Sequence, residues 1–260
     1  MDNPRVSVVM AVYNGERWLR QALESILAQS GTAFEVITVE DASTDSSPAI
    51  LREYSSTDRR IVLLENDSNL GLTRCLNLGL KKARGEYLAR MDAEDICLPG
   101  RLSDQAAFLD NHPEVGVLGG WTRVIDEQGR PLSQRISPED DQSIRAEMLI
   151  KNNAFAHSSV MLRTELLRQA GGYDENFRYA QDYELWNRLA RSTRLACLPR
   201  VVVAWRTGSG NISSRHREEQ LECQLRTSLR TLKEHLAESL DHESYRRFWF
   251  ALHGQTGLIG

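Results

Sequence analysis

Val6-Ser7-Val8-Val9-Met10-Ala11-Val12-Tyr13-Asn14-Gly15 is the stretch from which the rest of the chain can be read. Its first seven residues are almost unbroken apolar and β-branched, which fits a strand buried on both faces, and Asn14-Gly15 supplies the turn that ends it. The period then changes. Trp18, Leu19, Ala22, Leu23, Ile26 and Leu27 fall on one face of a helix. The alternation repeats three times: Phe34 to Glu40 reads as a strand and Ser46 to Tyr54 as a helix, then Ile61 to Leu64 and Gly71 to Ala83, then a fourth strand from Glu86 to Met91. Strands joined by helices of this length run parallel with right-handed crossovers and carry helices on both faces. The expected fold class is therefore α/β with a mostly parallel central sheet.

Outward from there the pattern loosens. Arg101 to Asp110 reads as a helix, Val115 to Val124 as a strand, and Asp126-Glu127-Gln128-Gly129-Arg130 as a hairpin turn. A helix is expected from Pro138 through Ile150, a short strand from Val160 to Arg163, a helix from Asp182 to Arg191 and a strand from Ala196 to Trp205. Leucines at 221, 225, 229, 232, 236 and 240 then form a helical stripe. No linker rich in Gly, Ser or Pro interrupts the chain. The expected organisation is one domain over residues 1–213 and a C-terminal helical extension over 214–260.

Composition excludes several classes. Among 260 residues, 32 Lys+Arg against 36 Asp+Glu leave a net charge of −4, without the basic surplus that phosphate neutralisation on nucleic acid requires. No apolar run approaches the roughly 20 residues that cross a bilayer, and nothing before Val6 has the pattern of a secretory signal. Cys75, Cys97, Cys197 and Cys223 lack paired spacing and read as reduced thiols. These features point to the cytoplasm. Tyr245 to Phe250 mixes basic and aromatic residues, which leaves room for peripheral contact with the inner face of a membrane, and the leucine stripe leaves room for a homo-oligomer.

The acids are placed where an open parallel sheet binds ligands, beyond the carboxyl ends of its strands. Glu40-Asp41 closes the second strand and Asp92-Ala93-Glu94-Asp95 closes the fourth. Three acids in four residues repel one another unless a cation compensates them, and a divalent metal is the simplest compensator. Mg2+ or Mn2+, which take one or two protein carboxylates plus phosphate oxygens, would let Asp92 and Glu94 hold a metal bridging a nucleoside diphosphate. Asp45 reads as a cap of the helix that follows it. The loop after the first strand is neither a GxGxxG turn nor a Walker loop, and no GxSxG elbow is present, so NAD enzymes, P-loop NTPases and serine hydrolases fall away. Asp182, at the start of its helix, suits either a helix-terminal acid or a carboxylate base. Arg90 suits an ion pair with Asp92 or Asp95.

Together, VSVVMAVYNG at 6–15, EVITVEDASTDSS at 35–47, NLGLTRCLNLGLKKARGEYLARMDAED at 69–95, LPGRL at 98–102, AHSSVM at 156–161 and GGYDENFRYAQDYELWNRL at 171–189 resemble the large inverting family of nucleotide-sugar glycosyltransferases with the GT-A fold. The resemblance implies that Asp41 contacts the base of the nucleotide. It also implies that Ala11, Tyr13, Asn14 and Glu16 line the nucleotide pocket, that Asp92 and Glu94 form the metal loop and that Asp182 is the general base. It departs at Glu40, where an aspartate is common, and at Glu94, where the family's third metal-loop position is usually aspartate. His157 falls in a family block on the acceptor side and suits either acceptor contact or a packed neutral histidine. Arg206, opening the loop after the last strand, suits a second cation closing over the diphosphate.

The function these readings imply is metal-dependent, inverting transfer of a sugar from a UDP- or dTDP-linked donor to an acceptor hydroxyl. The acceptor would be a saccharide or lipid-linked glycan in surface polysaccharide or glycolipid synthesis. A nucleotidyltransferase and a catalytically silent nucleotide-sugar-binding protein are the alternatives.

Overall fold

The computed structural model describes residues 3–151, 153–208 and 217–235, with Glu243, Tyr245, Arg246 and Trp249. Its sheet opens with four parallel strands, β1 (Val6–Val12), β2 (Phe34–Glu40), β3 (Ile61–Glu65) and β4 (Tyr87–Arg90), in the order β3-β2-β1-β4. Helices α1 (Leu19–Leu27), α2 (Ser47–Thr57) and α3 (Leu72–Lys82) make the crossovers. Beyond β4 the sheet is mixed. A two-residue strand β5 (Ile96–Cys97) and helix α4 (Arg101–Asn111) follow, then β6 (Val115–Ile125) and its hairpin partner β7 (Pro131–Arg135). Helix α5 (Asp141–Lys151), strand β8 (Met161–Arg163), helices α6 (Thr164–Gln169) and α7 (Gln181–Leu189), strand β9 (Arg194–Arg206) and helix α8 (Arg217–His235) complete it. Strand β8 runs antiparallel to both β4 and β6, while β9 runs parallel to β6 and antiparallel to β5. Six strands thus share one direction.

Each face carries its own core. On one side Val6, Val8, Met10 and Val12 meet Leu19, Leu23 and Ile26 of α1, Leu51 of α2 and Leu102 and Leu109 of α4. On the other, Val9, Ile37 and Leu88 meet Leu76 and Leu80 of α3, Phe155, and Tyr183, Leu185, Trp186 and Leu189 of α7. The α/β class with helices on both faces holds. Several boundaries move. Helix α5 begins at Asp141 rather than Pro138, because the Asp140 carboxylate accepts the Ser143 backbone N–H at 2.9 Å and caps the helix there. The fourth strand ends at Arg90, and α6 was not foreseen.

The leucine stripe faces inward at Leu221, Leu225 and Leu229, while Leu236 and Leu240 lie outside the described residues. Glu184 of α7, 1% exposed, pairs with Arg188 at 2.9 Å and with Arg230 of α8 at 2.9 Å. Tyr245 and Trp249, 7% and 0% exposed, join the same core, so these two aromatics do not present themselves to a membrane; Arg247, Phe248 and Phe250 lie outside the described residues. No helix among the described residues is long and apolar enough to cross a membrane. Cys75, Cys97 and Cys197 are buried and Cys223 partly so, all as free thiols.

Candidate active site

A pocket of about 450 Å³ opens beyond the end of β4. It gathers Arg90, Asp92 and Glu94 from the β4 end, Arg135 from β7, Asn153 to Ser158 from the segment before β8, Arg178 to Asp182 at the start of α7, Trp205 from β9, and Gln220 and Gln224 from α8. Asp92, Glu94, His157 and Asp182, expected from three separated motifs, therefore share one cavity. Buried polar atoms without a hydrogen-bond partner also collect there: Arg90 Nε, Asn153 Oδ1, Ser158 Oγ and Gln224 Oε1 all belong to its lining residues. Such atoms are rare in folded proteins and mark places that a ligand or water completes.

The β4 end is a strained electrostatic arrangement. Buried Arg90 ion-pairs with Asp92, as expected. Burial, then the neighbouring Asp92 charge, pushes the Glu94 carboxyl up to about 7. Asp95, fully buried, is also raised, by burial and then by Asp92. Its Oδ1 accepts the Arg206 backbone N–H at 2.8 Å, so it ties the loop to β9 and is not a pocket ligand. Asp92 and Glu94, both partly exposed, remain as two hard-oxygen donors whose mutual repulsion a divalent cation would relieve, and they fit Mg2+ or Mn2+. Among the described residues no group of three or more His, Cys, Asp or Glu is arranged to hold an ion. Two protein carboxylates would have to be completed by phosphate oxygens and water, the pattern that magnesium favours.

Asp182 begins α7 after Ala180, whose φ of 54° is left-handed. That kink turns the chain into the helix and leaves the Asp182 carboxylate on the pocket wall. Its Oδ1 accepts the Tyr183 N–H at 2.8 Å and its Oδ2 accepts the Asn153 amide N–H. Burial raises its pKa, and these hydrogen bonds oppose the rise. His157 accepts or donates at Nε2 with the Tyr173 hydroxyl at 2.8 Å and packs edge-on to Trp186. Burial holds it well below the usual histidine range, hence neutral. It lines the pocket and is packed at once, so both readings of it describe part of its surroundings.

The nucleotide-side residues lie at the ends of β1 and β2, outside the lining of that cavity. Asp41, 3% exposed, accepts hydrogen bonds from Asn66 Nδ2, Leu70 N and Gly71 N, each at 2.8 Å. Asn14 and Glu16 brace the facing loop: Asn14 Oδ1 accepts Thr44 N at 2.8 Å and Glu16 Oε2 accepts Ser46 N at 2.9 Å. Asp45 returns the contact to Glu16 N at 3.0 Å and caps α2 through Ser47 N at 2.9 Å. Tyr13 is 53% exposed beside them, and Ala11 is partly exposed within β1. Gly15 meets the metal loop directly: a Cβ there would sit 3.5 Å from Ala93 Cβ.

Arg206 departs from its expected role. It ends β9 rather than opening a loop, and it is 2% exposed. Its guanidinium donates to the carbonyl oxygens of Glu94 (2.9 Å), Asp126 (3.0 Å) and Glu127 (3.1 Å) and to Gln21 Oε1 (2.8 Å), over the face of Trp18. A side chain so engaged braces the Asp92–Glu94 loop from behind and would have to break these bonds to reach over a diphosphate. The loop that Arg206 was expected to open lies, from residue 209, outside the described residues.

The model of the glycosyl transferase family 2 matches residues 7–171. The chain belongs to that family. The amylovoran biosynthesis glycosyltransferase AmsE of Erwinia amylovora is 33% identical over 212 residues, covering 80% of this chain and 79% of its own. Among solved structures, S. aureus TarS in complex with UDP-GlcNAc matches 98% of this chain and 73% of that one, with a TM-score of 0.71 and 21% identity. The mannosyltransferase PcManGT of Pyrobaculum calidifontis, in complex with GDP-Man and Mn2+, matches 99% and 76%, with a TM-score of 0.69 and 20% identity. At these identities the two structures show that the glycosyltransferase shares the GT-A fold. Membership of family 2 places the chain among glycosyltransferases rather than nucleotidyltransferases. The family match stops eleven residues short of Asp182, and the pocket wall from α8 lies beyond it as well. Arg135, Asn153, Arg178, Trp205, Gln220 and Gln224 were not singled out from the sequence, because they come from five separate segments that only the tertiary fold brings together.

Proposed function

We propose that this family 2 glycosyltransferase inverts the anomeric centre as it moves a sugar from a UDP- or dTDP-linked donor to a hydroxyl of a growing surface polysaccharide or glycolipid. The observation that carries the reading is one cavity holding Asp182 together with the Asp92–Glu94 loop. The named role of AmsE supports the polysaccharide part, and the nucleotide sugars bound to the two solved neighbours support an activated donor.

Asp41 and exposed Tyr13, at the ends of β2 and β1, would receive the nucleoside. Asp92 and Glu94 would hold Mg2+ or Mn2+, which when bound neutralises charge on the departing diphosphate. Asp182, oriented by Asn153, takes the proton from the acceptor hydroxyl, which then attacks opposite the leaving group; no covalent glycosyl-enzyme is required. Neutral His157 offers a hydrogen bond without adding charge beside that base.

The test is a screen of UDP-, dTDP- and GDP-sugars with Mn2+ or Mg2+, following nucleoside diphosphate release, in the native chain and in Asp182→Asn. Loss of release with nucleotide uptake intact is expected. Unchanged release by the variant would remove Asp182 as the base. Uptake without release by the native chain across the donor and acceptor panel would favour the silent nucleotide-sugar-binding alternative.

A further inference from the structure

Three arginines line the pocket, and only one of them has a carboxylate partner. Arg90 is paired with Asp92. Arg135 donates from Nη2 to the Asn153 backbone carbonyl, and Arg178 lies 5.7 Å over the Tyr179 ring; neither makes an ion pair with a carboxylate among the described residues. This contrasts with the arginines around them. Arg74 pairs with Glu175 and Arg188 and Arg230 pair with Glu184, at 3.2 Å, 2.9 Å and 2.9 Å. Arg135 is only partly exposed, and although the charges of Glu147 and Asp182 act on it, neither carboxylate is bonded to it, so its fork is left open to an anion. Burial indeed lowers its pKa.

Both side chains line the same cavity as Asp182, contributed by β7 and by the segment that leads into α7. The Asp92–Glu94 loop, where the diphosphate is expected, is already served by Arg90. Trp205 and Tyr179 add aromatic surface to the same cavity, and Asn153 Oδ1 and Gln224 Oε1 are hydrogen-bond acceptors without partners. A guanidinium fork pairs with carboxylate or phosphate oxygens in two parallel hydrogen bonds, and an aromatic face receives the apolar side of a sugar ring.

Resting on the proposed transfer to a sugar hydroxyl, we infer that the acceptor is anionic: a saccharide whose carboxylate or phosphate group is met by Arg135 and Arg178 while its hydroxyl reaches Asp182. Arg135 anchors the group within the pocket and Arg178 receives it at the rim. The two arginines decide acceptor choice and are indifferent to the donor.

The experiment titrates three probes into the full chain saturated with UDP and Mn2+, read by ligand-observed NMR: methyl β-glucuronide, methyl β-glucoside 6-phosphate and neutral methyl β-glucoside. At least one anionic probe is expected to bind tenfold or more tightly than the neutral one, and which one leads separates a uronate from a phosphorylated acceptor. Arg135→Gln should cut the preference at least fivefold and Arg178→Gln about threefold, while Arg74→Gln, whose pair with Glu175 lies outside the cavity, leaves it unchanged. Equal binding of the three probes, no measurable binding of either anion, or a preference that survives both substitutions overturns the inference. Mn2+-dependent UDP uptake, measured in the same samples, reports on the donor side separately. If uptake is intact and anion preference is missing, only the acceptor inference fails; if uptake is missing, the functional reading fails, and the probes are then scored on the same criteria without nucleotide.

Discussion

Burial holds the Asp182 carboxyl above the usual aspartate range, so on acidification this group takes up its proton at a higher pH than a solvated aspartate does. A base must be ionised to work, so transfer should rise with pH through that raised pKa. The acidic limb of the kcat profile is expected above the ordinary aspartate value, and a limb at the solvated value would contradict it. The stability effect has the opposite sign. A carboxyl whose pKa is raised on folding favours the folded state at acid pH, and that contribution disappears as pH rises through the folded-state pKa. Asp182→Asn at neutral pH is therefore expected to raise stability by about 1 kcal/mol in denaturant melts while transfer falls by about 10²–10⁴. Ala42 poses a backbone question instead. Its φ is 57°, in the left-handed region that L-residues enter at a cost of about 1–2 kcal/mol, directly after Asp41. Ala42→Gly should stabilise the fold by about 0.5–1 kcal/mol, read as a higher Tm with nucleotide uptake preserved.

At the level of elements, β9 and β6 meet the site from behind. Arg206 at the end of β9 satisfies three carbonyl oxygens and Gln21. Arg206→Ala leaves them without that donor and should cost about 2–4 kcal/mol while raising the Mn2+ concentration needed for half-maximal activity. In β6, a Cβ on Gly119 would fall 2.1 Å from the Phe155 ring, whose other side lines the pocket. Gly119→Ala should cost about 1–3 kcal/mol through displaced Phe155 and weaken acceptor more than donor binding, measurable as separate changes in the two KM values. The regular first half was legible because β1, β2 and β4 are buried on both faces, and continuous apolar runs can come from little else. That Asp92 and Glu94 would face one cavity with Asp182 was legible in part, because adjacent acids at a strand end demand a reason. Strand β5, two residues long, leaves no periodic trace. The role of Arg206 was misread because an arginine after a strand looks the same in sequence whether it reaches solvent or backbone carbonyls; only the proximity of Asp126–Glu127, some 80 residues earlier, decides between them.

For the molecule as a whole, the reversed strand β8 divides the work. The parallel strands before it carry Asp41 and the Tyr13–Glu16 loop, proposed to meet the nucleotide, and the segments flanking and following it supply Asn153, His157, Asp182 and the α8 wall. Helix α8 is bonded to the helix that carries Asp182 through Glu184–Arg230 and through Thr231 Oγ1 to Asn187 Oδ1 at 3.2 Å. Because Arg230 is partly exposed, Arg230→Ala should cost only about 1 kcal/mol globally, yet it loosens the Gln220–Gln224 wall. Hydrogen exchange should quicken in α8 before it does in β1. The loops after β1 and β2 are coupled more tightly still. Asn14 N, Gly15 N and Glu16 N donate to Ser43 Oγ, Ser47 Oγ and Asp45 Oδ2 respectively, while Thr44 N and Ser46 N donate back to Asn14 and Glu16. Two segments thirty residues apart thus behave as a single cassette. A chimera that grafts a foreign loop at one of them strands up to three donors at the other, so any loop exchange in this scaffold has to transplant both together.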